Sequence, residues 1–103
     1  MMKITISDLT NDGVDVSMCD LFIENEYGII ANLKTSKNYL KQGFAKKVMT
    51  TVVKVAKGLG LNSISLRVLK GSFMHEWYIR LGYRVFAEDA EDEHYEWLKM
   101  YIQ

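Results

Sequence analysis

Thr35-Ser36-Lys37-Asn38-Tyr39-Leu40-Lys41-Gln42-Gly43-Phe44-Ala45-Lys46 is the stretch that decides the fold. It follows a run typical of a strand and opens a run typical of a helix. The first N–H groups of a helix have no partner within it and carry partial positive charge. Gly43 and Ala45 would let a phosphate approach these groups closely, and Lys41 and Lys46 add charge. The alternative is an ordinary strand-to-helix turn, because short glycine motifs also match by chance.

The run after this stretch predicts an amphipathic helix with one apolar face. Gly58 and Gly60 supply its C-terminal end. Its apolar residues recur every three or four positions, at Phe44, Val48, Val52, Ala56 and Leu59, with lysines between them.

The segment before it predicts four short strands, which suggest an antiparallel meander. Lys3–Ser7 alternates apolar and polar residues, and Asn11-Asp12-Gly13 signals a turn. A second alternating run contains Val14, Val16 and Met18. The stretch Leu21-Phe22-Ile23 and the run 27–35 then read as a hairpin.

The C-terminal third predicts a strand, a helix and two more strands. Ser63–Leu69 alternates as a strand, and a shorter helix fits Ser72–Leu81 with Gly82 as its cap. The strands Arg84–Phe86 and His94–Ile102 flank an acidic loop at 88–93. We therefore expect an α+β (mixed α/β) fold, in a single domain spanning residues 1–103.

Composition excludes several classes of protein. Thirteen basic and thirteen acidic residues cancel, which argues against a nucleic-acid or membrane-surface partner. Cys19 is the only cysteine, so no intrachain disulfide forms. No C-x-x-C or histidine pair is present, so we expect no metal site. Without a long apolar stretch or a signal-like start, the chain is expected to be cytoplasmic.

A second informative stretch is Trp77-Tyr78-Ile79-Arg80-Leu81-Gly82-Tyr83, where the shorter helix gives way to a strand. A well-placed phenol acts as a general acid, which makes Tyr78 a candidate proton donor. The alternative is an aromatic ring packed at a helix end, since aromatic residues bury large areas in cores.

Together these stretches resemble the GNAT superfamily of acyl-CoA-dependent N-acyltransferases. The family signature is R/Q-x-x-G-x-G/A at the start of a helix, then a strand, then a helix ending Y-x-x-L-G-F/Y. Gly43-Phe44-Ala45 matches its glycine part, Leu61–Val68 its strand and Tyr78–Tyr83 its end. The resemblance covers about residues 27–102. It implies a mostly antiparallel sheet of six or seven strands, splayed at the cofactor site, with two helices.

The resemblance also implies the cofactor, acetyl-CoA, and the residues that hold it. Backbone N–H groups between Lys41 and Lys46 would bind the pyrophosphate, and the strand end at Leu33–Thr35 would pair with the pantetheine arm and polarise the thioester carbonyl. Tyr78 would protonate the departing thiolate. The cofactor-binding residues expected on this basis are Leu33, Lys34, Thr35, Lys41, Gln42, Gly43, Phe44, Ala45, Lys46 and Met74.

Departures from the family pattern leave a second interpretation open. Leu40 stands where the family usually has Arg or Gln, and Gly71 and Met74 where it often has Asn and Ala. Only about thirteen residues separate Ser7 from Leu21, too few for the two helices that wall the family's acceptor site. The chain is therefore expected to be an N-acetyltransferase acting on a primary amine. The alternatives are a weakly active or inactive module that binds acyl-CoA or a protein partner, and a purely structural interaction domain in which the cofactor groove has closed. A homodimer would cover the open side.

The sequence singles out no general base and no acceptor. The acidic loop reads most simply as solvated, although it would also attract a cationic acceptor. The candidate bases are Glu24, Glu26, His75, Glu76 and His94.

Overall fold

A computed structural model describes residues 1–9, 13 and 15–102 of the chain. Within them the chain forms six strands, two α-helices and one short 3₁₀ turn. The strands are β1 (Met2–Leu9), β2 (Asp15–Glu24), β3 (Tyr27–Thr35), β4 (Ser63–Leu69), β5 (Arg84–Glu88) and β6 (Tyr95–Tyr101). The helices are α1 (Phe44–Gly58) and α2 (Phe73–Arg80), and the 3₁₀ turn spans Lys37–Tyr39.

One mixed sheet holds all six described strands in the order β1-β2-β3-β4-β6-β5. Every neighbouring pair is antiparallel except β3 and β4, which run parallel. That pair is joined only between Tyr27–Ile29 and Ser63–Ser65, and the strands then separate. The predicted α+β fold, its two helices and the splayed sheet are confirmed.

Both helices pack on the same face of this sheet, which we call the helix-bearing face. Buried strand residues such as Cys19, Leu21 and Leu66 form a single core with α1 and α2. The α1 contribution is Val48, Met49, Val52 and Ala56. Three of these belong to the predicted apolar stripe, whereas Leu59, which was also predicted to belong to it, is exposed. The core therefore lies in one layer between sheet and helices.

The opposite face, which we call the open face, carries no helix of the described part of the chain. The strand register places on it the side chains of Lys3, Thr5, Asp20, Phe22, Tyr27, Ile29, Ser65, Arg67, Trp97, Lys99 and Tyr101. An antiparallel sheet tolerates such a face when polar side chains are interspersed with the apolar ones, as they are here.

The predicted four-strand meander is wrong, because three strands precede α1. The second and third predicted strands are one strand, β2, which continues through Asp20. Asp20 is accommodated in mid-strand because its carboxylate accepts hydrogen bonds from Thr5 Oγ1 (2.8 Å) and Asn32 Nδ2 (2.9 Å) on the open face. The predicted turn at Asn11 and Asp12 lies outside the described residues.

Candidate functional site

A β-bulge in β3 shapes one wall of the site. Asn32 and Leu33 together face a single residue of β2, Cys19, between the pairs Asp20–Ala31 and Met18–Lys34. Asn32 has φ 57°, a left-handed conformation that asparagine tolerates better than most residues. The extra residue reverses the alternation of side chains, so that Leu33 and Thr35 point to the helix-bearing face. Without the bulge, Leu33 would point to the open face.

The start of α1 forms the second wall. Gly43 is the N-cap residue with φ 83°, and no side chain caps the first N–H groups of this helix. A Cβ built on Gly43 would meet no atom within 4 Å, so the space in front of these groups is open. The structure therefore has an uncapped helix N-terminus, with Lys41 and Lys46 exposed beside it, where an anion could be held.

Helix α2 forms the third wall. Ser72 caps it by accepting a hydrogen bond from the His75 N–H, at 3.1 Å. The side chains of Phe73, Met74 and Trp77 then point toward α1. This spacing of three and four residues puts them on one side of the helix.

The three walls enclose a largely apolar cavity of about 510 Å³. Eight of the ten predicted cofactor-binding residues line it: Leu33, Thr35, Lys41, Gly43, Phe44, Ala45, Lys46 and Met74. The side chain of Lys34 lies on the open face, and Gln42 Nε2 donates instead to the carbonyl of Asn38 at 3.2 Å. The cavity could therefore accommodate a ligand with an apolar part and an anionic group at the start of α1.

The sequence prediction missed four residues that line the cavity: Tyr39, Leu40, Phe73 and Trp77. The ring of Tyr39 meets that of Phe44 edge to face, with centroids 5.6 Å apart. The helical spacing of Phe73 and Trp77 with Met74 was the signal that would have found two of them.

Tyr78 is not among the residues that line the cavity, but it is adjacent to Trp77, which is. Its side chain is buried and packs edge to face on Trp77 and Tyr83, with ring centroids 5.2 and 5.9 Å away. Burial raises the pKa of Tyr78 to about 12, with a smaller contribution from Cys19. The phenol is therefore protonated at neutral pH, as a proton donor has to be.

No carboxylate or imidazole lines the cavity in the described part of the chain. His75 Nε2 contacts Glu96 Oε1, and Glu26 Oε2 accepts a hydrogen bond from Asn62 Nδ2 at 2.6 Å. Glu24 lies at the far end of β2, and His94 is exposed in the β5–β6 loop. None of the predicted bases is brought to the site.

The described residues contain no cluster of three or more His, Cys, Asp or Glu side chains that could hold a metal ion. Neither described helix has the length and apolar character to cross a membrane.

Comparison with known proteins identifies the fold. A sequence model of the acetyltransferase (GNAT) family matches residues 6–83, more than half of the chain. No curated protein shows significant sequence similarity to this chain.

Solved structures give the same result. The structure superposes with a TM-score of 0.87 on a putative acyl-CoA N-acyltransferase from Klebsiella pneumoniae, at 13% identity over 98% of this chain and 73% of that one. The PaiA N-acetyltransferase from Thermoplasma acidophilum, solved with coenzyme A, gives a TM-score of 0.84 at 16% identity, over 96% of this chain and 60% of that one. The ribosomal-protein-S18-alanine N-acetyltransferase from Escherichia coli gives a TM-score of 0.82 at 11% identity, over 98% of this chain and 70% of that one.

Proposed function

Because the chain belongs to the GNAT acetyltransferase family, we propose that it transfers an acetyl group from acetyl-CoA to a primary amine by direct attack. The observation that supports this most is the single cavity that joins the uncapped start of α1 to the separated edge of β3. An anion-binding helix end and an unpaired strand edge are the two surfaces that a pyrophosphate and an amide-containing arm require.

The residues fit the cofactor in the following way. N–H groups in the first turn of α1 bind the pyrophosphate, and Lys41 and Lys46 add positive charge. The main chain of β3 from Leu33 to Thr35 pairs with the pantetheine amides, since this edge has no partner in β4 beyond Ile29. Met74 and Trp77 pack against the apolar part of the arm.

When bound, acetyl-CoA supplies an acyl group activated as a thioester. A neutral amine attacks the carbonyl carbon, the new C–N bond forms and the C–S bond breaks. A backbone N–H at the bulge beside Leu33 stabilises the charge that develops on the carbonyl oxygen. Tyr78 donates its hydroxyl proton to the departing sulfur. Water takes the proton that the amine loses, since the described cavity lining offers no base, and a proton from water restores the Tyr78 hydroxyl.

We further propose a cytoplasmic setting without a nucleic-acid or membrane partner. The balance of thirteen basic and thirteen acidic residues supports this, because such partners favour a net positive field. A single cysteine, buried and free, also suits a reducing compartment.

The test is amine-dependent release of CoA from acetyl-CoA. The panel contains small alkylamines, a lysine-containing peptide and a peptide with a free N-terminus, assayed with the wild-type protein and Tyr78→Phe. A thiolate is a fairly good leaving group, so we expect the variant to lose about a hundredfold in turnover, at the lower end for a general acid. Its affinity for acetyl-CoA should be unchanged, because only a buried hydroxyl is removed.

Tyr101→Phe is the matched control, since it makes the same chemical change at an exposed position at the end of β6. Equal turnover by wild type and Tyr78→Phe would remove Tyr78 from the mechanism. A wild-type protein that binds acetyl-CoA but acetylates no amine would instead be the binding module of the second interpretation.

A further inference from the structure

Tyr83 carries a buried hydroxyl that the fold leaves unsatisfied. Its side chain is 1% exposed, and the hydroxyl has no hydrogen-bond partner among the described residues. A buried polar group without a partner costs stability, and a phenylalanine would fill nearly the same space without that cost. The hydroxyl therefore requires an explanation beyond packing.

The neighbours of Tyr83 are the proposed proton donor and a thiol. The rings of Tyr78 and Tyr83 meet edge to face at 5.9 Å, and the Tyr83 N–H donates to the Tyr78 carbonyl at 3.1 Å. Cys19 is fully buried, and its charge when ionised would raise the pKa of both phenols further. Three protonable groups thus share one enclosed region of an otherwise apolar core.

This region lies directly behind the cavity wall. Cys19 is the residue of β2 that faces the bulge, where Leu33 lines the cavity from the same face of the sheet. Trp77, which lines the cavity, packs on the ring of Tyr78. Tyr83 therefore contacts the proposed donor, which is itself one ring removed from the cavity lining.

We infer that Tyr83 is a positioning residue for Tyr78, whose hydroxyl it holds through one enclosed water molecule. This inference rests on the proposed function. A buried water needs two to four polar partners, and the hydroxyls of Tyr83 and Tyr78 with the thiol of Cys19 supply three. The chain of hydrogen bonds fixes the direction of the Tyr78 O–H bond. After Tyr78 has given its proton to the sulfur, Tyr83 donates a hydrogen bond to the Tyr78 oxygen through the water.

The first test is a double-mutant cycle in unfolding, which requires no enzymatic activity. Tyr78→Phe, Tyr83→Phe and the double variant are unfolded in urea beside the wild type. If the two hydroxyls share a water, either substitution breaks the same network. The midpoint of the double variant should then differ from the sum of the two single shifts.

The second test is the pH profile of turnover. Tyr83→Phe should lower kcat about tenfold with an unchanged KM for acetyl-CoA, and should move the alkaline limb of the profile. It should cause no further loss in the Tyr78→Phe background. A role in packing alone would move neither kcat nor the profile.

Additive midpoints, or a Tyr83→Phe variant with wild-type kcat and profile, would overturn the inference. Non-additive midpoints in a protein without transferase activity would contradict the proposed function and still support the hydroxyl contact. The two failures are therefore distinguishable.

Discussion

At the scale of single residues, the core next to the cavity contains three titratable groups that burial keeps protonated. Burial raises the pKa of Cys19 to about 11, and the neighbouring charge of Asp20 adds to the effect. It raises the pKa of Tyr78 to about 12 and that of Tyr83 as well. At neutral pH all three groups are neutral, so Cys19 is not a reactive thiolate.

These shifts predict a loss of stability in alkali. The unfolded chain loses the Cys19 proton near pH 9, whereas the folded chain retains it to about pH 11. Since the folded state binds more protons in this window, the contribution of Cys19 to the free energy of unfolding should be complete below pH 9. It should decrease as the pH rises to 11. Urea unfolding at pH 7, 8, 9, 10 and 11 measures it.

Cys19→Ala is the matched variant for this measurement. It should be less stable than wild type at pH 7, because it leaves a small cavity, and its stability should fall less steeply between pH 9 and 10. Identical slopes for the two proteins would contradict the shifted pKa of the thiol.

The sequence motifs predicted the residues whose backbone shapes the site, but not all of the side chains that line it. Gly43 and Tyr78 follow from short motifs with a direct chemical meaning. Phe73 and Trp77 could be predicted only through their helical spacing with Met74, because tertiary packing sets which side of α2 faces α1. The bulge at Asn32 could be suspected from an asparagine in mid-strand, but its position depends on the pairing with β2.

At the scale of elements, β3 creates the site because it pairs with β4 for only three residues. Gly28 lies in this short pairing, opposite Ile64. A Cβ built on Gly28 would lie 2.8 Å from Leu21 Cδ1 and 3.0 Å from Ile64 Cγ2. The absence of a side chain here lets the core close below the point where the two strands separate.

Gly28→Ala should therefore destabilise the protein by about 1–3 kcal/mol through overpacking. Gly58→Ala is the control, because a Cβ at this last position of α1 would meet nothing within 4 Å. That substitution should increase the free energy of unfolding by at most about 1 kcal/mol. Urea unfolding of both variants measures the difference, and equal stabilities would contradict the packing described at Gly28.

Element boundaries were predictable where local signals coincide. Ser63–Leu69 and the two helices match their predicted ranges to within a residue or two, because caps and glycines define their ends. The continuity of β2 was not predictable, since an aspartate in a strand is tolerated only after Thr5 and Asn32 have been brought to it.

At the scale of the whole molecule, the open face is a surface that no helix of the described residues covers. Tyr27 and Tyr101 on it are 55% and 73% exposed, and Phe22, Ile29 and Trp97 lie half-buried between them. Strands about 4.8 Å apart and about seven residues long give the sheet an area of about 550 Å². Two copies face to face would bury about 1,100 Å², enough for a specific interface of modest size.

We propose that a second copy of the chain covers this face. Light scattering at micromolar concentration should give a mass near twice 11.9 kDa. Tyr27→Lys should shift the protein toward the monomer, because it places a charge at the interface. Leu59→Lys should not, since Leu59 is exposed to a similar extent, 48%, but follows α1 away from the open face. A wild-type monomer would contradict the proposal.

The central claim is that acetyl-CoA binds in the cavity with its pyrophosphate at the start of α1, and calorimetric titration with acetyl-CoA tests it most directly. Gly43→Glu places a carboxylate where this account puts the pyrophosphate. Gly60→Glu introduces the same charge at a similar backbone angle, φ 72° against 83°, with the same open surroundings but beyond the other end of α1. We predict one site per chain in wild type and in Gly60→Glu, and loss of most affinity in Gly43→Glu. Equal affinity in all three proteins, or no binding by the wild type, would contradict the account.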